Sequence, residues 1–104
     1  MDRTPSALRG HVLNNAGSLA WLRGDCEAAR ALHEEASALQ EQLGDEAGWC
    51  RSLESLAILA ATPGDWARAS ELLEQTLVRR RRLGDEPRML TTLTNLATVV
   101  VRLG

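Results

Sequence analysis

Leu43-Gly44-Asp45-Glu46 recurs forty residues later as Leu83-Gly84-Asp85-Glu86, and this repeated tetrapeptide decides the fold. Further Gly-Asp pairs stand at 24–25 and 64–65, so the pair comes once every twenty residues. Glycine tolerates the left-handed backbone conformation that follows the end of a helix. An aspartate directly after it can accept hydrogen bonds from the free N–H groups of the next helix. The spacing therefore predicts helices of about seventeen residues joined by very short turns.

The complete repeat is forty residues long rather than twenty. A shift by forty aligns four sets of small or apolar residues, namely Leu13 with Leu53 and Leu93, Gly17 with Ala57 and Ala97, Ala29 with Ala69, and Leu32 with Leu72. A shift by twenty keeps the glycines and aspartates but loses this apolar register. The unit is thus a pair of antiparallel helices, and helix pairs of fixed period stack into α-solenoids. We predict one all-α domain over 1–104, with repeat 1 at about 5–44, repeat 2 at about 45–84 and an extra helix at about 85–104.

Five helices follow from this division, and no segment has the period-two alternation of a β-strand. Thr4 as N-cap and Pro5 at the first helical position begin the first helix, which ends near Leu22. The other four are expected at about 26–43, 46–61, 66–83 and 86–103. The apolar stripe predicted to face inward in the first helix consists of Leu8, Val12, Leu13, Ala16, Leu19 and Ala20.

Composition and charge restrict the classes of partner. The formal net charge is −2, which gives no global reason to expect nucleic acid or an anionic membrane. No stretch approaches the roughly twenty apolar residues of a membrane span, and residues 1–6 lack the apolar core of a signal peptide. All twelve basic residues are arginine, which is typical of a GC-rich bacterial genome. We therefore expect a cytoplasmic protein of bacterial origin.

Residues with catalytic or metal-binding chemistry form no recognisable constellation. Cys26 and Cys50 are expected near opposite ends of one helix, roughly 25 Å long, which is too far for a disulfide. His33 falls on an inward stripe, typical of a packed core histidine, and His11 is isolated. The run 79–82 of four arginines points in four directions around a helix, so we interpret it as a solvated face rather than a nucleic-acid patch. We predict no catalytic site, metal or cofactor.

The residues that mark each repeat resemble the tetratricopeptide repeat family. The first repeat offers Leu13, Gly17, Gly24-Asp25, Ala29 and Ala36, and the second Leu53, Leu56, Ala57, Gly64-Asp65-Trp66, Ala69 and Leu73. Departures from the family pattern are Cys26 in place of an aromatic residue, His33 in a large apolar position and Thr76 in place of an alanine. The period of forty exceeds the usual thirty-four. In this it is similar to the long repeats of bacterial multidomain transcriptional regulators and kinesin-light-chain-type proteins.

The resemblance implies a non-catalytic scaffold that binds a protein or a peptide, within a bacterial regulatory protein. The first helix of each pair would line a concave groove with twelve residues: His11, Asn14, Asn15, Ser18, Arg51, Glu54, Ser55, Ile58, Thr91, Thr94, Asn95 and Thr98. Asn15 and Asn95 carry most weight, because a carboxamide offers both a donor and an acceptor to a peptide backbone. Arg51 is the only cation in this set, so the basic clamp that binds acidic C-terminal tails is not assembled.

The fifth helix lacks a second helix of its own pair. Its stripe of Leu93, Leu96, Ala97 and Val100 is therefore expected to be partly bare, with Val99 and Val101 adding apolar surface beside it. An apolar patch of this kind indicates an interface. Either the chain is a piece of a longer array, or two copies cover each other's last helices in a homodimer.

Overall fold

The computed structural model of the protein describes residues 6–103, and all the regular secondary structure in that range is α-helical. The helices are α1 (Ser6–Leu22), α2 (Cys26–Leu43), α3 (Glu46–Ala61), α4 (Trp66–Leu83) and α5 (Glu86–Leu103). These bounds confirm the all-α fold and the five helices predicted from the Gly-Asp spacing. The predicted N-cap Thr4 and first helical residue Pro5 lie outside the described residues.

The Gly-Asp turns have the geometry that the sequence predicts. Gly44 and Gly84 end α2 and α4 in the left-handed conformation, with φ of 74° and 71°. Asp45 and Asp85 follow them directly, and their Oδ1 atoms accept hydrogen bonds from the backbone N–H groups of Gly48 at 3.0 Å and Arg88 at 3.3 Å, at the starts of α3 and α5. Asp25 and Asp65 cap the starts of α2 and α4 in the same way. One short motif therefore ends one helix and starts the next.

Two compact units make up the chain, one ending at Ser52 and the other beginning at Leu53, so the division falls within α3. Unit 1 contains α1 packed against α2, together with the first half of α3. Unit 2 contains the second half of α3 and α4 packed against α5. The repeat boundaries near residues 44 and 84 stay a prediction.

The buried face of α1 differs from its predicted apolar stripe. Leu8, Val12 and Leu19 are 49%, 56% and 56% exposed, whereas Gly10 and Gly17 are buried. A methyl group at Gly17 would lie 2.7 Å from Nε2 of His33, so the close approach of α1 and α2 requires glycine there. The stripe prediction was therefore wrong for Leu8, Val12 and Leu19, whereas Leu13, Ala16 and Ala20 are partly buried. Apolar periodicity missed the buried glycines because glycine has no side chain to contribute to it.

The stripe of α5 that was expected to be partly bare does carry exposed apolar side chains. Thr92 and Val99 are buried, whereas Leu93 and Val100 are 44% and 54% exposed. The expectation that Val99 adds to the exposed surface was therefore wrong. Among the described residues, no helix combines the length and the apolar character that crossing a membrane requires.

Candidate interaction surface

A chain of hydrogen bonds between neutral side chains connects the three helices of unit 1. Ser52 Oγ of α3 lies 3.0 Å from Asn14 Oδ1 of α1, and Asn14 Oδ1 lies 2.8 Å from His33 Nδ1 of α2. Gln40, fully buried on α2, also contacts Ser52 Oγ. Asn14 was predicted to line the groove, and the structure places its side chain in this network.

The orientation of the Gln40 amide follows from its surroundings. With Nε2 turned towards Ser52 Oγ, the same nitrogen also donates to the carbonyl oxygens of Ala36 at 3.1 Å and Gly48 at 3.0 Å. In the opposite orientation the amide oxygen would face only acceptors, so we assign Nε2 to this position. The Ser52 hydroxyl then accepts from Gln40 and donates to Asn14.

The surroundings of His33 favour its neutral form. Asn14 Oδ1 can only accept, so His33 Nδ1 carries the proton and donates it. His33 is 2% exposed, and burial lowers the pKa of its ring below the usual 6.5. The prediction of a packed core histidine is confirmed, with the addition that Gly17 is its neighbour on α1.

Unit 2 has a charged network in the corresponding place. Arg80 of α4 is 2% exposed, and its Nη1 donates to Glu54 Oε2 of α3 at 2.7 Å and to Thr92 Oγ1 of α5 at 2.6 Å. The same nitrogen lies 3.4 Å from the carbonyl oxygen of Arg88. Nε and Nη2 of Arg80 are buried and have no partner among the described residues. The ion pair therefore satisfies only part of the guanidinium.

The two networks occupy the same repeat positions. A shift by forty residues places Asn14 on Glu54, Gln40 on Arg80, Ser52 on Thr92 and Gly48 on Arg88. The contact with the backbone is repeated as well. Gln40 Nε2 lies near the carbonyl oxygen of Gly48, and Arg80 Nη1 lies near the carbonyl oxygen of Arg88. The repeat backbone thus sets the geometry of the network, and the side chains decide its charge.

The interpretation of residues 79–82 as a solvated run was wrong for Arg80. This residue points into unit 2 and neutralises Glu54, while Arg81 and Arg82 are exposed. Apolar periodicity could not find Gln40 or Arg80 as core residues because both side chains are polar. The forty-residue shift could have indicated them, because it aligns Gln40 with Arg80, so that a polar residue stands at the same position of the second helix in both pairs.

Several of the other predicted groove residues make contacts within their own unit. Arg51 Nη2 lies 3.1 Å from His11 Nδ1. The hydroxyls of Thr91, Thr94 and Thr98 each donate to a carbonyl of their own helix, and so satisfy their donors locally. The remaining predicted groove residues are partly or fully exposed, namely Asn15, Ser18, Ser55, Ile58 and Asn95.

Four predicted groove residues come together around one pocket of unit 2, with a volume of about 140 Å³. These residues are Glu54, Asn95 and Thr98, which form a polar edge, and the apolar Ile58. The walls are apolar and consist of Ala57, Ile58, Ala61, Trp66, Leu73 and Val99. The side chain of Asn95 makes no hydrogen bond within the described part of the chain, so its amide is available at the pocket.

Trp66 is a wall residue that the groove prediction missed. It begins α4, is partly exposed and lines the pocket. The guanidinium of Arg102 lies 5.8 Å from the centre of its ring, within the range of a cation–π contact. The sequence had marked Trp66 only as the aromatic residue of a turn, where it stands next to the Gly-Asp pair.

Unit 1 has a separate pocket of about 220 Å³ between α1 and α2. Its lining is mixed, with Arg9 and Glu35 of opposite charge, and with Leu13 and Leu39 as its largest apolar residues. No group of three or more His, Cys, Asp or Glu side chains among residues with described positions could hold a metal ion.

Comparison with protein families gives one match. The family model for the tetratricopeptide repeat matches residues 8–82. This range includes all the network side chains that the forty-residue shift aligns except Thr92. A comparison with curated proteins gave no match. The matched segment covers well over half of the 104 residues, and its helix pairs with Gly-Asp turns are those of the structure. The chain therefore belongs to the tetratricopeptide repeat family.

Proposed function

We propose that the chain is a non-catalytic scaffold that binds a peptide segment of a partner protein through side chains of the first helix of each pair. Repeats of its family generally serve as scaffolds for protein–protein interaction. In this chain the partner's peptide would be held along exposed polar side chains, and no catalytic step would follow.

The pocket of unit 2 is the observation that carries the proposal. It collects Glu54, Ile58, Asn95 and Thr98 from two different helices around an apolar floor. Protein pockets that bind ligands are usually apolar with a few polar groups that fix orientation. Asn95 supports a peptide ligand in particular, because its unpaired amide can donate to a backbone carbonyl and accept from a backbone N–H.

Selection from a random peptide library on the immobilised chain would test the proposal. We expect selected peptides to bind the wild-type protein and to lose about five- to tenfold in affinity with Asn95→Ala, the value of one neutral hydrogen bond. Gln75→Ala is a matched control, since Gln75 is exposed on α4 and does not line the pocket. Failure to select any peptide would contradict peptide binding by this surface. So would peptide affinities in Asn95→Ala and Asn15→Ala that are unchanged from the wild-type protein.

Self-association through α5 is the second candidate function. Leu93 and Val100 of the predicted stripe are about half exposed, and Leu90 and Val101 beside them are 66% and 77% exposed. Together they give α5 a continuous apolar face. Light scattering across a range of concentrations tests this candidate. A dimer that Val100→Glu converts into a monomer would support self-association, and a monomer at every concentration would refute it.

We also propose that the partner is not a nucleic acid and that the chain acts within a bacterial regulatory protein in the cytoplasm. Burial of Arg80 in an ion pair removes one of four arginines from any contact with phosphate, which argues against nucleic acid as the partner. A bacterial regulatory parent and a cytoplasmic location are supported by the resemblance to long bacterial repeats and by the use of arginine in place of lysine. Electrophoretic mobility of a random DNA duplex with the protein, measured at low salt, would test the exclusion of nucleic acid.

A further inference from the structure

The pocket of unit 2 has the size of a single aliphatic side chain. Its volume is about 140 Å³, and a dry apolar cavity of about 150 Å³ is known to hold a benzene molecule. The walls are formed by Ile58, Trp66, Leu73 and Val99 together with two alanines. The four carbons of a leucine or isoleucine side chain fit this space and would meet apolar atoms on several sides.

The charge of the pocket is already balanced from within the protein. Among the described residues, Glu54 is the only charged one that lines it, and Oε2 of Glu54 receives the hydrogen bond from the buried guanidinium of Arg80. A cationic ligand side chain would therefore compete with Arg80 for the carboxylate. Glu54 Oε1 makes no hydrogen bond among the described residues and can accept one from a neutral N–H group. The pocket thus favours an uncharged occupant.

The indole wall is held from outside the pocket. Arg102 lies 5.8 Å from the ring centre of Trp66, on the last turn of α5. A cation placed over a ring adds an attraction that fixes the ring orientation. A wall that is already ordered loses little side-chain entropy when a ligand binds, which favours affinity.

We propose that this pocket binds one leucine or isoleucine side chain of the partner peptide, while Asn95 and Glu54 hydrogen-bond the peptide backbone on either side of it. The inference rests on the proposed peptide-binding function and names the residue class that the peptide must supply. Selectivity arises because a polar side chain in the same place would lose its hydrogen bonds to water and gain none from the walls.

Titration with N-acetyl-leucine N-methylamide, followed by amide and indole NMR signals, tests the pocket without a known partner. A probe of this size is expected to bind in the millimolar range. We expect the largest shifts at the Asn95 side-chain amide and the Trp66 indole, and at least tenfold weaker binding of N-acetyl-asparagine N-methylamide. Shifts of equal size around Leu39, in the mixed pocket of unit 1, would show unspecific apolar contact and overturn the proposal.

Two substitutions sharpen the test. Ala61→Leu fills the pocket from its own wall and should weaken the leucine probe at least tenfold. Ala67→Leu adds the same atoms at an exposed position of α4 outside the pocket and should leave binding unchanged. Circular dichroism of both variants checks that each remains folded. Unchanged probe binding in a folded Ala61→Leu would overturn the proposal.

The same variants separate this inference from the proposed function. Peptides selected from the random library are expected to contain leucine or isoleucine and to lose affinity with Ala61→Leu. Library peptides that bind equally well to Ala61→Leu would refute the anchor pocket and leave peptide binding intact. A leucine probe that binds as expected, with no peptide selected, would support the pocket and refute the proposed function.

Discussion

The two units place different chemistry on the same backbone positions. Unit 1 connects its helices with neutral groups, in which the amide of Gln40 finds three acceptors. Unit 2 uses Arg80 and Glu54, and leaves two buried nitrogens of the guanidinium without partners among the described residues. Both units place a hydrogen-bond donor at the equivalent position of the second helix, Gln40 or Arg80, but only in unit 2 is this donor charged. Substitutions should therefore have unequal effects in the two units.

Loss of the counter-ion in unit 2 should have the largest effect on stability. Glu54→Ala leaves the charge of Arg80 buried without a partner, which costs about 3–5 kcal/mol. The matched change in unit 1, Asn14→Ala, removes only neutral hydrogen bonds and should cost about 1–3 kcal/mol. Urea unfolding followed by circular dichroism measures both free energies. Equal losses would show that the Arg80–Glu54 pair carries no special weight.

Exchange of the whole charged network for the neutral one should have an effect of the opposite sign. The triple variant Glu54→Asn, Arg80→Gln and Thr92→Ser gives unit 2 the side chains of unit 1. Neutral amides cost less to bury than charged groups, and the exchange removes the two buried nitrogens of Arg80 that lack partners among the described residues, so we expect stability to be unchanged or raised. The same unfolding experiment applies. A clear loss of stability would mean that the surroundings in unit 2 are fitted to the charge.

The contact between α1 and α2 offers a third comparison. Gly17→Ala places a methyl group against His33 Nε2 and should destabilise the protein by about 1–3 kcal/mol, although alanine favours the helix. In unit 2 the same two positions hold Ala57 and Leu73. The double variant Gly17→Ala and His33→Leu should therefore recover much of the stability in thermal unfolding. If the double variant is no better than the single one, the clash with His33 is not the cause.

The smallest expected effect is a pH dependence that belongs to unit 1. Burial lowers the pKa of folded His33 below its ordinary 6.5, so the unfolded chain binds the extra proton first as the pH falls. Stability is complete above pH 6.5 and declines as the pH drops from there to the lowered pKa, by up to about 1.4 kcal/mol per pH unit. The Gly17→Ala and His33→Leu variant should lack this part of the decline. Identical profiles for the two proteins would contradict the assignment to His33.

The sequence predicted the helices and turns because Gly44 and Asp45, like their equivalents, act through local backbone chemistry. From repeat positions it predicted a set of groove residues, of which Asn95 and three others line the pocket of unit 2, and their role in binding a peptide stays a prediction. The buried networks were not predicted, since Asn14 and Glu54 are polar and periodicity assigns such residues to the surface. Whether a polar side chain finds partners depends on a neighbouring helix. Only the paired geometry of Gln40 with Ser52, or of Arg80 with Thr92, reveals that.

The placement of the charged pair affects how such an array can grow. Glu54 and Arg80 both lie between residues 45 and 84, so one forty-residue block contains the charge and its counter-ion. The following block supplies neutral groups to each network, namely the hydroxyl of Ser52 or Thr92 and the backbone carbonyl of Gly48 or Arg88. Duplication or loss of a whole block would therefore place the hydroxyl of one block beside the donor of the block before it. A charge and its counter-ion would stay within the same block.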